Sequence, residues 1–343
     1  MKQPYPSMAK RDRSRRILLG LCFVLAVVIG TFHLPLARSQ DVQPYGREMV
    51  DALHSAFGEH HARAVHAKGT IITGSFAASK EASRFTIAPH LQRSAGKVQV
   101  IARFSDFTGI PDIADTDPNG SPKGFAVRFF LPDGDVTDIV NHSFNGFPTS
   151  NAADFAVLLH AIGSAHASPP NTAPLDHFLD THPAAKIFLS SQKPPPTSWA
   201  TTPYFGVNAF KFTNSRGQSH YIRYRFVPVA GESSISPEEQ RSLPPNYLSE
   251  ELLERFKRSP VRFKMLAQIA EADDDIRDPS KPWPKERKLV ELGVLTFTSI
   301  VPGELASKNL QFEPGAVTAG IKTADPMLDV RRTAYPVSVS ERQ

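Results

Sequence analysis

Cysteine is nearly absent from this sequence, which has one cysteine in 343 residues. That residue, Cys22, lies inside an uncharged apolar run at positions 17–32, which we expect to be removed on export. A mature chain without cysteine has no disulfide, no thiolate nucleophile and no cysteine-ligated metal. Any redox chemistry in the mature chain therefore requires a bound cofactor.

The net positive charge of the chain comes from its N-terminus. The formal net charge is +5, but residues 1–39 alone carry +6, which leaves −1 for the rest of the chain. Such a body lacks the lysine and arginine clusters that displace counterions from nucleic acid, so we exclude nucleic acid as a partner. With 41% hydrophobic and 21% charged residues, the composition is that of a globular protein.

The N-terminal segment has the features of an export signal. A basic stretch precedes the apolar run at 17–32, and residues 36–39 place small side chains at both positions that a signal peptidase reads. The run is shorter than the roughly 20 residues that span a bilayer, so we predict cleavage after Ser39 rather than a retained anchor. Arg15 and Arg16 resemble a twin-arginine signal, although they also fit an ordinary secretory signal.

The predicted organisation is therefore a signal peptide at 1–39 followed by one domain at 40–343. We expect an exported, periplasmic protein that has no stable membrane contact once the signal is removed.

Six runs rich in β-branched and aromatic residues predict β-strands. They lie at 69–76, 98–105, 124–131, 205–213, 221–229 and 288–300. In the run at 221–229, Arg223 and Arg225 alternate with apolar and aromatic positions, which predicts one solvent-exposed and one buried face. Strands of this kind tend to close into a barrel.

Helices are predicted between and after the strands. Apolar residues at helical spacing from 49 to 57 indicate an amphipathic helix, and Asn151 is a plausible N-cap for another. The stretch 248–272 predicts two helices separated by Pro260. The proline-rich stretches 166–174 and 193–203 predict ordered loops. The predicted fold class is α+β, an antiparallel β-barrel with added helices.

Three segments carry side chains of the kinds that catalysis uses. The segment 63–69 brings an arginine and a histidine to the start of a strand, 103–105 ends a strand with arginine and serine, and 325–335 places arginine and tyrosine one helical turn apart. Each alone has an ordinary explanation: a core histidine, an internal salt bridge, or an arginine packed on a tyrosine. A zinc site is disfavoured because His61 and His66 fit no known ligand spacing.

Taken together, the motifs resemble the haem catalase superfamily, specifically its small members, the catalase-related peroxidases. The family's motifs recur in order: R-x-V-H-A-x-G at 63–69, R-F-S at 103–105, G-F-A-V-x-F at 124–129, a Gly-Ile to Asp-x-Met-Leu run at 320–328, and R-x-x-x-Y at 331–335. Smaller agreements lie at 204–212 and 283–284. The resemblance covers most of the chain after residue 39.

This resemblance implies a catalase-like barrel that holds haem b (iron) inside it. Tyr335 would be the axial iron ligand, as in catalase, and Arg331 would keep it ionised. His66 would be the distal base that moves a proton between the two peroxide oxygens. The remaining assignments are Arg63, Arg103 and Arg342 to the haem propionates, Phe155 to the porphyrin face, and Ser105 as a hydrogen-bond partner of His66.

One departure from the family concerns its distal asparagine. Ungapped counting places His142 at that position, and Asn141 or Asn145 would replace it after a shift of one to three residues. In large catalases that asparagine helps to position a second peroxide for oxidation to dioxygen. Its replacement, and the absence of a nicotinamide-binding portion after Tyr335, favour peroxidase over catalase activity.

The sequence therefore predicts an exported haem peroxidase that reduces hydrogen peroxide or organic hydroperoxides with a small electron donor, and has weak or no catalase activity. Three alternatives stay open. They are a fatty-acid hydroperoxide isomerase like the allene oxide synthases, a non-enzymatic haem-binding or haem-sensing barrel, and a barrel for another small ligand. The reductant and the oligomeric state are not predicted.

Overall fold

Ten β-strands form one sheet in the part of the chain that the structure describes, residues 43–191, 194–302 and 308–342 of a computed structural model. The predicted export signal at 1–39, with Cys22, lies outside these residues. The strands are β1 (Gly69–Ala78), β2 (Lys97–Ser105), β3 (Gly124–Phe130), β4 (Val136–His142), β5 (Tyr204–Phe205), β6 (Phe210–Thr213), β7 (Ser219–Pro228), β8 (Val261–Ile269), β9 (Leu289–Ile300) and β10 (Ile321–Thr323).

Eight of these strands close into an antiparallel barrel. Their order is β1, β2, β3, β4, β5, β7, β8 and β9, and β9 pairs again with β1. Strand β6 pairs with β7 outside this ring, and β10 pairs with β6. Closure leaves none of the eight strands as an open edge. The predicted antiparallel barrel is confirmed.

Aromatic side chains fill the interior of the barrel. The ring of Phe104 stacks on that of Phe125 at a centroid distance of 4.9 Å, and Phe263 from β8 lies 5.2 Å from Phe125. Trp199 stacks on Phe104 at 5.7 Å and is fully buried. The interior is therefore a packed core, and it leaves no open space at this level for a large ligand.

Helices flank the barrel. They are α1 (Gln43–Phe57), α2 (Ala152–His166), α3 (Ala173–Thr181), α4 (Pro183–Ser190), α5 (Pro237–Gln240), α6 (Tyr247–Phe256) and α7 (Met327–Glu341). The predicted amphipathic helix is α1, which buries Met49, Val50 and Leu53 in a cluster shared with α2 and α7. Asn151 caps α2, because its side chain accepts a hydrogen bond from the backbone N–H of Asp154 at 2.9 Å. No helix among the described residues is long and apolar enough to cross a bilayer.

The prediction of two helices in 248–272 is wrong in its second half. Helix α6 covers the first half, but the residues after Pro260 form β8. In β8 the buried residues Val261, Phe263 and Met265 alternate with exposed ones, which is the period of a strand. Because β8 pairs with both β7 and β9, the backbone N–H and C=O groups of this segment find their hydrogen-bond partners in the sheet and do not need a helix. The predicted strand at 205–213 is likewise two strands, β5 and β6.

The expected solvent-exposed face of β7 is covered instead. Arg223 is 1% exposed and lies 4.5 Å above the ring of Trp283, while it donates hydrogen bonds to backbone carbonyls that include those of Asp278 and Lys281. Arg225 donates to the side chain of Gln268. Both guanidinium groups are buried because carbonyl and amide oxygens replace their water.

Candidate active site

One cavity brings together the ten residues that the sequence predicts for the site. The volume of the cavity, including the part of its opening that is filled by solvent, is about 1400 Å³. The predicted residues along its wall are Arg63, His66, Arg103, Ser105, Asn141, His142, Phe155, Arg331, Tyr335 and Arg342. The barrel strands contribute Ser105 and His142, the turn before β1 contributes His66, and α7 contributes Arg331 and Tyr335.

The cavity lies against the outer face of the barrel wall. Arg103 and Ser105 flank Phe104 on β2, so their side chains lie on the face opposite the packed interior. Met49 and Leu53 of α1 and Val330 of α7 close the cavity from the helical side. The space for a ligand is thus between barrel and helices, whereas the resemblance places the haem within the barrel.

Hydrogen bonds on one side of the ring fix the orientation of His66. Its Nδ1 lies 3.0 Å from the carbonyl oxygen of Asp106 and 3.1 Å from the hydroxyl of Ser105. A carbonyl only accepts, so Nδ1 carries the proton and donates it to Asp106. The other ring nitrogen, Nε2, is then a bare base. The backbone of His66 has a φ of +57°, which turns the chain sharply just before β1.

The environment of His66 keeps its ring neutral. Burial lowers the pKa of His66 to about 3, and the neighbouring His142 and Arg103 contribute to this shift. The imidazole is therefore unprotonated at neutral pH and is available to accept a proton from a ligand.

Gly124 allows His66 to approach the barrel wall. A Cβ at Gly124 would lie 2.4 Å from the hydroxyl of Ser105 and 2.7 Å from Nδ1 of His66. These distances are shorter than real Cβ contacts, so any other residue at 124 would displace the imidazole. The glycine of the G-F-A-V-x-F motif thus has a steric role.

The strand register separates the two candidates for the distal asparagine position. His142 pairs with Gly124 and so lies on the cavity face beside His66, whereas Asn141 pairs with Phe125 of the barrel interior. Nε2 of His142 is buried and has no hydrogen-bond partner among the described residues, and burial lowers its pKa to about 3. The amide of Asn141 donates to the carbonyl of Phe125 at 3.1 Å. Asn145 is not part of the cavity wall.

A chain of hydrogen bonds supports Tyr335 from α7. Arg331 donates to the hydroxyl oxygen of Tyr335 at 2.8 Å and to the side-chain oxygen of Asn208 at 2.8 Å. Asn208 in turn donates to Asp325 at 2.7 Å, and Asp325 accepts the backbone N–H of Met327 at 2.9 Å. The guanidinium is thus held beside the phenol by a fixed network.

Asn208 and Asp325 were missing from the predicted site. Both lie within segments that matched the family, 204–212 and 320–328, so the match itself was the available signal. Asn208 is bonded to Arg331, 123 positions away, and to Asp325, 117 positions away. Spacing along the chain does not show such contacts.

Three arginines gather at another part of the cavity wall. Burial and the charges of Arg103 and Arg342 lower the pKa of Arg63 to about 8, and burial with Arg342 lowers that of Arg103 to about 9. Arg103 donates to the carbonyls of His66 and Ala67 at 2.8 Å. The partners in these bonds are backbone carbonyls and not a carboxylate of the protein. Nε of Arg103 and Nη1 of Arg342 are buried without a partner among the described atoms. This cluster is suited to an anionic ligand.

The fold and this site define a closed antiparallel barrel with a histidine and an arginine-supported tyrosine on one cavity. The crystal structure of a fungal catalase has the same fold, with a TM-score of 0.73 and 20% identity over 82% of this chain and 59% of that chain. The family model for catalase matches residues 54–343, and the chain belongs to the catalase family.

Two relatives of similar length are both named catalase-related peroxidase. That of Mycolicibacterium paratuberculosis is 35% identical over 301 residues, which are 86% of this chain and 94% of the relative. That of Synechococcus elongatus is 32% identical over 302 residues, which are 86% of this chain and 88% of the relative.

Proposed function

We propose that the protein is a haem peroxidase, an oxidoreductase that reduces hydrogen peroxide or an organic hydroperoxide with a small electron donor. The observation that carries this proposal is the meeting of His66, Tyr335 and three arginines on one cavity in a chain of the catalase family. The names of the relatives support peroxidase activity over a hydroperoxide isomerase.

The residues present fit haem b. A porphyrin carries two carboxylates on an otherwise apolar disc, and the cavity offers apolar walls together with the partly unpaired guanidinium groups of Arg103 and Arg342. Arg63, Arg103 and Arg342 would bind the propionates, Tyr335 would ligate the iron, and Phe155 would pack on the ring. Haem would then lie between the barrel wall and the helices. When bound, haem supplies a redox-active iron at which the O–O bond of peroxide is cleaved.

The chain's own residues handle the proton. The bond from Nδ1 of His66 to the Asp106 carbonyl leaves Nε2 free to take the proton of the incoming peroxide and to return it to the departing oxygen. Ser105 holds the same ring from the side. His142 offers a second unpaired nitrogen to a polar ligand in the cavity. Arg331 donates a hydrogen bond to the hydroxyl oxygen of Tyr335 at 2.8 Å and so holds in place the oxygen that would ligate the iron.

A neighbouring cavity supports a substrate larger than hydrogen peroxide. It lies among α1, α2, α4 and the residues after β2, and it shares Phe107 and Phe155 with the wall of the first cavity. The ring of Phe107 meets that of His66 edge to face at 5.5 Å. The organic part of a hydroperoxide, or an aromatic donor, would find space there. Export to the periplasm stays part of the proposal on the sequence alone.

The absorption spectrum of the purified protein, with and without added haem, tests the cofactor. We expect the wild type to bind haem and to give a Soret band with the features of a tyrosinate ligand. Tyr335→Phe removes the ligand oxygen and should lower haem affinity by about 10- to 100-fold and change these features. Tyr221→Phe, on the exposed part of β7, is the matched control and should change nothing. A wild type that stays colourless after haem addition would refute the proposal.

Gly124→Ala tests the steric role of the glycine. The added methyl group displaces the His66 ring, so we expect kcat/KM for peroxide to fall at least about tenfold, with a loss of about 1–3 kcal/mol in the free energy of unfolding. Gly134→Ala is the control for activity: its φ of +91° strains an alanine and should cost about 1–2 kcal/mol of stability, but a Cβ there meets nothing within 4 Å, so activity should be kept. Equal activity in both variants would mean that the ring position does not matter.

A further inference from the structure

A buried cluster of four charged side chains lies directly behind His66. Lys123 donates to the carboxylate of Asp106 at 2.6 Å and to the backbone carbonyl of Asp115 at 2.9 Å. The carboxylate of Asp115 pairs with Lys68 at 2.6 Å. The side chains of Lys123 and Asp106 are 2% and 0% exposed. Two cations and two anions thus balance in a region without solvent.

The inner pair of this cluster is connected to the imidazole through a single residue. The carbonyl that receives Nδ1–H of His66 belongs to Asp106, whose side chain Lys123 holds. The backbone N–H of Asp106 donates to the carbonyl of Lys68 at 3.0 Å, two residues after His66. The absent side chain of Gly120 leaves room for the pair, because a Cβ there would lie 3.2 Å from Nζ of Lys123. The position of that carbonyl therefore depends on the Lys123–Asp106 ion pair.

A buried ion pair stabilises a loop at a high cost in desolvation free energy. Well-packed apolar side chains of similar volume are often as stabilising or more so, since two charges lose their water on burial. Asp106 also leaves its second carboxylate oxygen unpaired among the described atoms. Burial and the neighbouring carboxylate of Asp115 raise the pKa of Asp106, whereas Lys123 opposes this change and so favours the charged form of Asp106.

We propose that the Lys123–Asp106 pair is a positioning element for the distal base: it fixes the Asp106 carbonyl on Nδ1 of His66, and its charges cancel behind the ring. This inference rests on the proposed function. Without Lys123, the carboxyl group of Asp106 has no cation beside it, and its pKa rises further. Its charge, and with it the basicity of His66, then varies with pH.

The other charged groups that face His66 do not provide this cancellation. They are His142 on β4, Arg103 on β2 and Arg331 on α7, and each lowers the pKa of His66 when positively charged. The Lys68–Asp115 pair lies one step further from the ring and makes no hydrogen bond to it among the described residues. It therefore offers a matched control for the loss of a buried ion pair.

The test is the pH profile of kcat/KM for peroxide in the haem-loaded enzyme, with the affinity for cyanide as a second readout. Cyanide binds ferric haem as an anion and leaves its proton on the distal base. In the wild type we expect both to be flat from about pH 5 to 8, since His66 stays neutral there. Lys123→Met should introduce a step at or above neutral pH, with values about tenfold lower on its acid side. Lys123→Arg should keep the flat profile.

Three further variants separate positioning from bracing. The double variant Asp106→Asn and Lys123→Met should lose the step, because the side chain at 106 no longer titrates, and Lys68→Met should stay flat. Asp106→Asn alone keeps the shape and leaves Lys123 uncompensated, so both readouts should fall about tenfold at every pH. If Lys123→Met lowers Tm but stays flat, or Asp106→Asn equals the wild type, the pair is only a brace and the proposal fails. A wild type that does not bind haem refutes the proposed function instead.

Discussion

His66→Ala should lose about 100- to 10,000-fold in kcat/KM for hydrogen peroxide while it keeps its haem. This range is what a positioned acid–base group contributes to proton transfer. Here Nε2 is the bare nitrogen of a neutral ring whose tautomer the Asp106 carbonyl fixes, and alanine leaves no group to take the peroxide proton. Tyr335 and Arg331 are untouched, so the spectrum of the resting enzyme should keep its tyrosinate features.

The measurement is steady-state kcat/KM for peroxide at a saturating concentration of a colorimetric donor, with haem content determined for each sample. His90→Phe is the matched control, because His90 is also a buried neutral histidine but is not part of the cavity wall. It should retain the wild-type rate within about twofold. If His66→Ala consumes peroxide as fast as the wild type, the protein is a haem carrier with incidental reactivity rather than a peroxidase.

Acid should unfold this protein through its buried histidines. Burial lowers the pKa of His90 to about 3, as it does for His66 and His142. In the unfolded chain each has a pKa of about 6.5, so between about pH 6.5 and 3 the unfolded state binds protons that the folded state does not. Each histidine therefore removes up to about 1.4 kcal/mol of stability per pH unit as the pH falls through this window. Asp106, whose pKa burial raises, acts in the opposite direction.

His90 allows this effect to be measured away from the site. Both of its ring nitrogens lack a partner among the described atoms, and the ring lies 4.8 Å from that of Phe129. His90→Phe removes one titrating group. In urea unfolding at a series of pH values, the slope of the free energy of unfolding against pH should be shallower by about 1.4 kcal/mol per pH unit between about pH 6 and 4. The variant should also be more stable at pH 7, because no unpaired polar ring is buried. Parallel curves for the two proteins would show that His90 is protonated in the folded state.

Strand period predicted a barrel but missed β4, β8 and β10, and the family motifs predicted ten candidate site residues. The six predicted runs became strands of the sheet, and the ten predicted residues meet on one cavity. Prediction failed where tertiary pairing overrode local preference, as in β8, and where distant backbone covered a polar face, as at Arg223. The pairing partners and the covering backbone are far away in sequence, although the alternation of Val261, Phe263 and Met265 with other residues was a local signal for β8.

The sequence left the choice between Asn141 and His142 open for the same reason, because strand pairing decides it. Counting from the family motif left both open, and the register with β3 puts only His142 beside Gly124. The cluster behind His66 could not be predicted because Lys68, Asp106, Asp115 and Lys123 look like separate surface charges along the chain. They become a network only when β2 and the loops after it fold over the turn at His66.

In a protein that binds haem as proposed, the order of the elements along the chain makes this binding a late event. His66 lies just before β1, and Tyr335 follows 269 positions later on α7, which is tied to the sheet by β10 and packs on α1. As the chain leaves the ribosome, the strands of the barrel emerge before the helix that carries the iron ligand. Contacts over such separations in sequence form slowly, because the chain must close a long loop first. Closure of the barrel by β1 and β9 also needs a long loop, but it uses residues that emerge before α7, so the docking of α7 should come last and decide when the proposed haem enters.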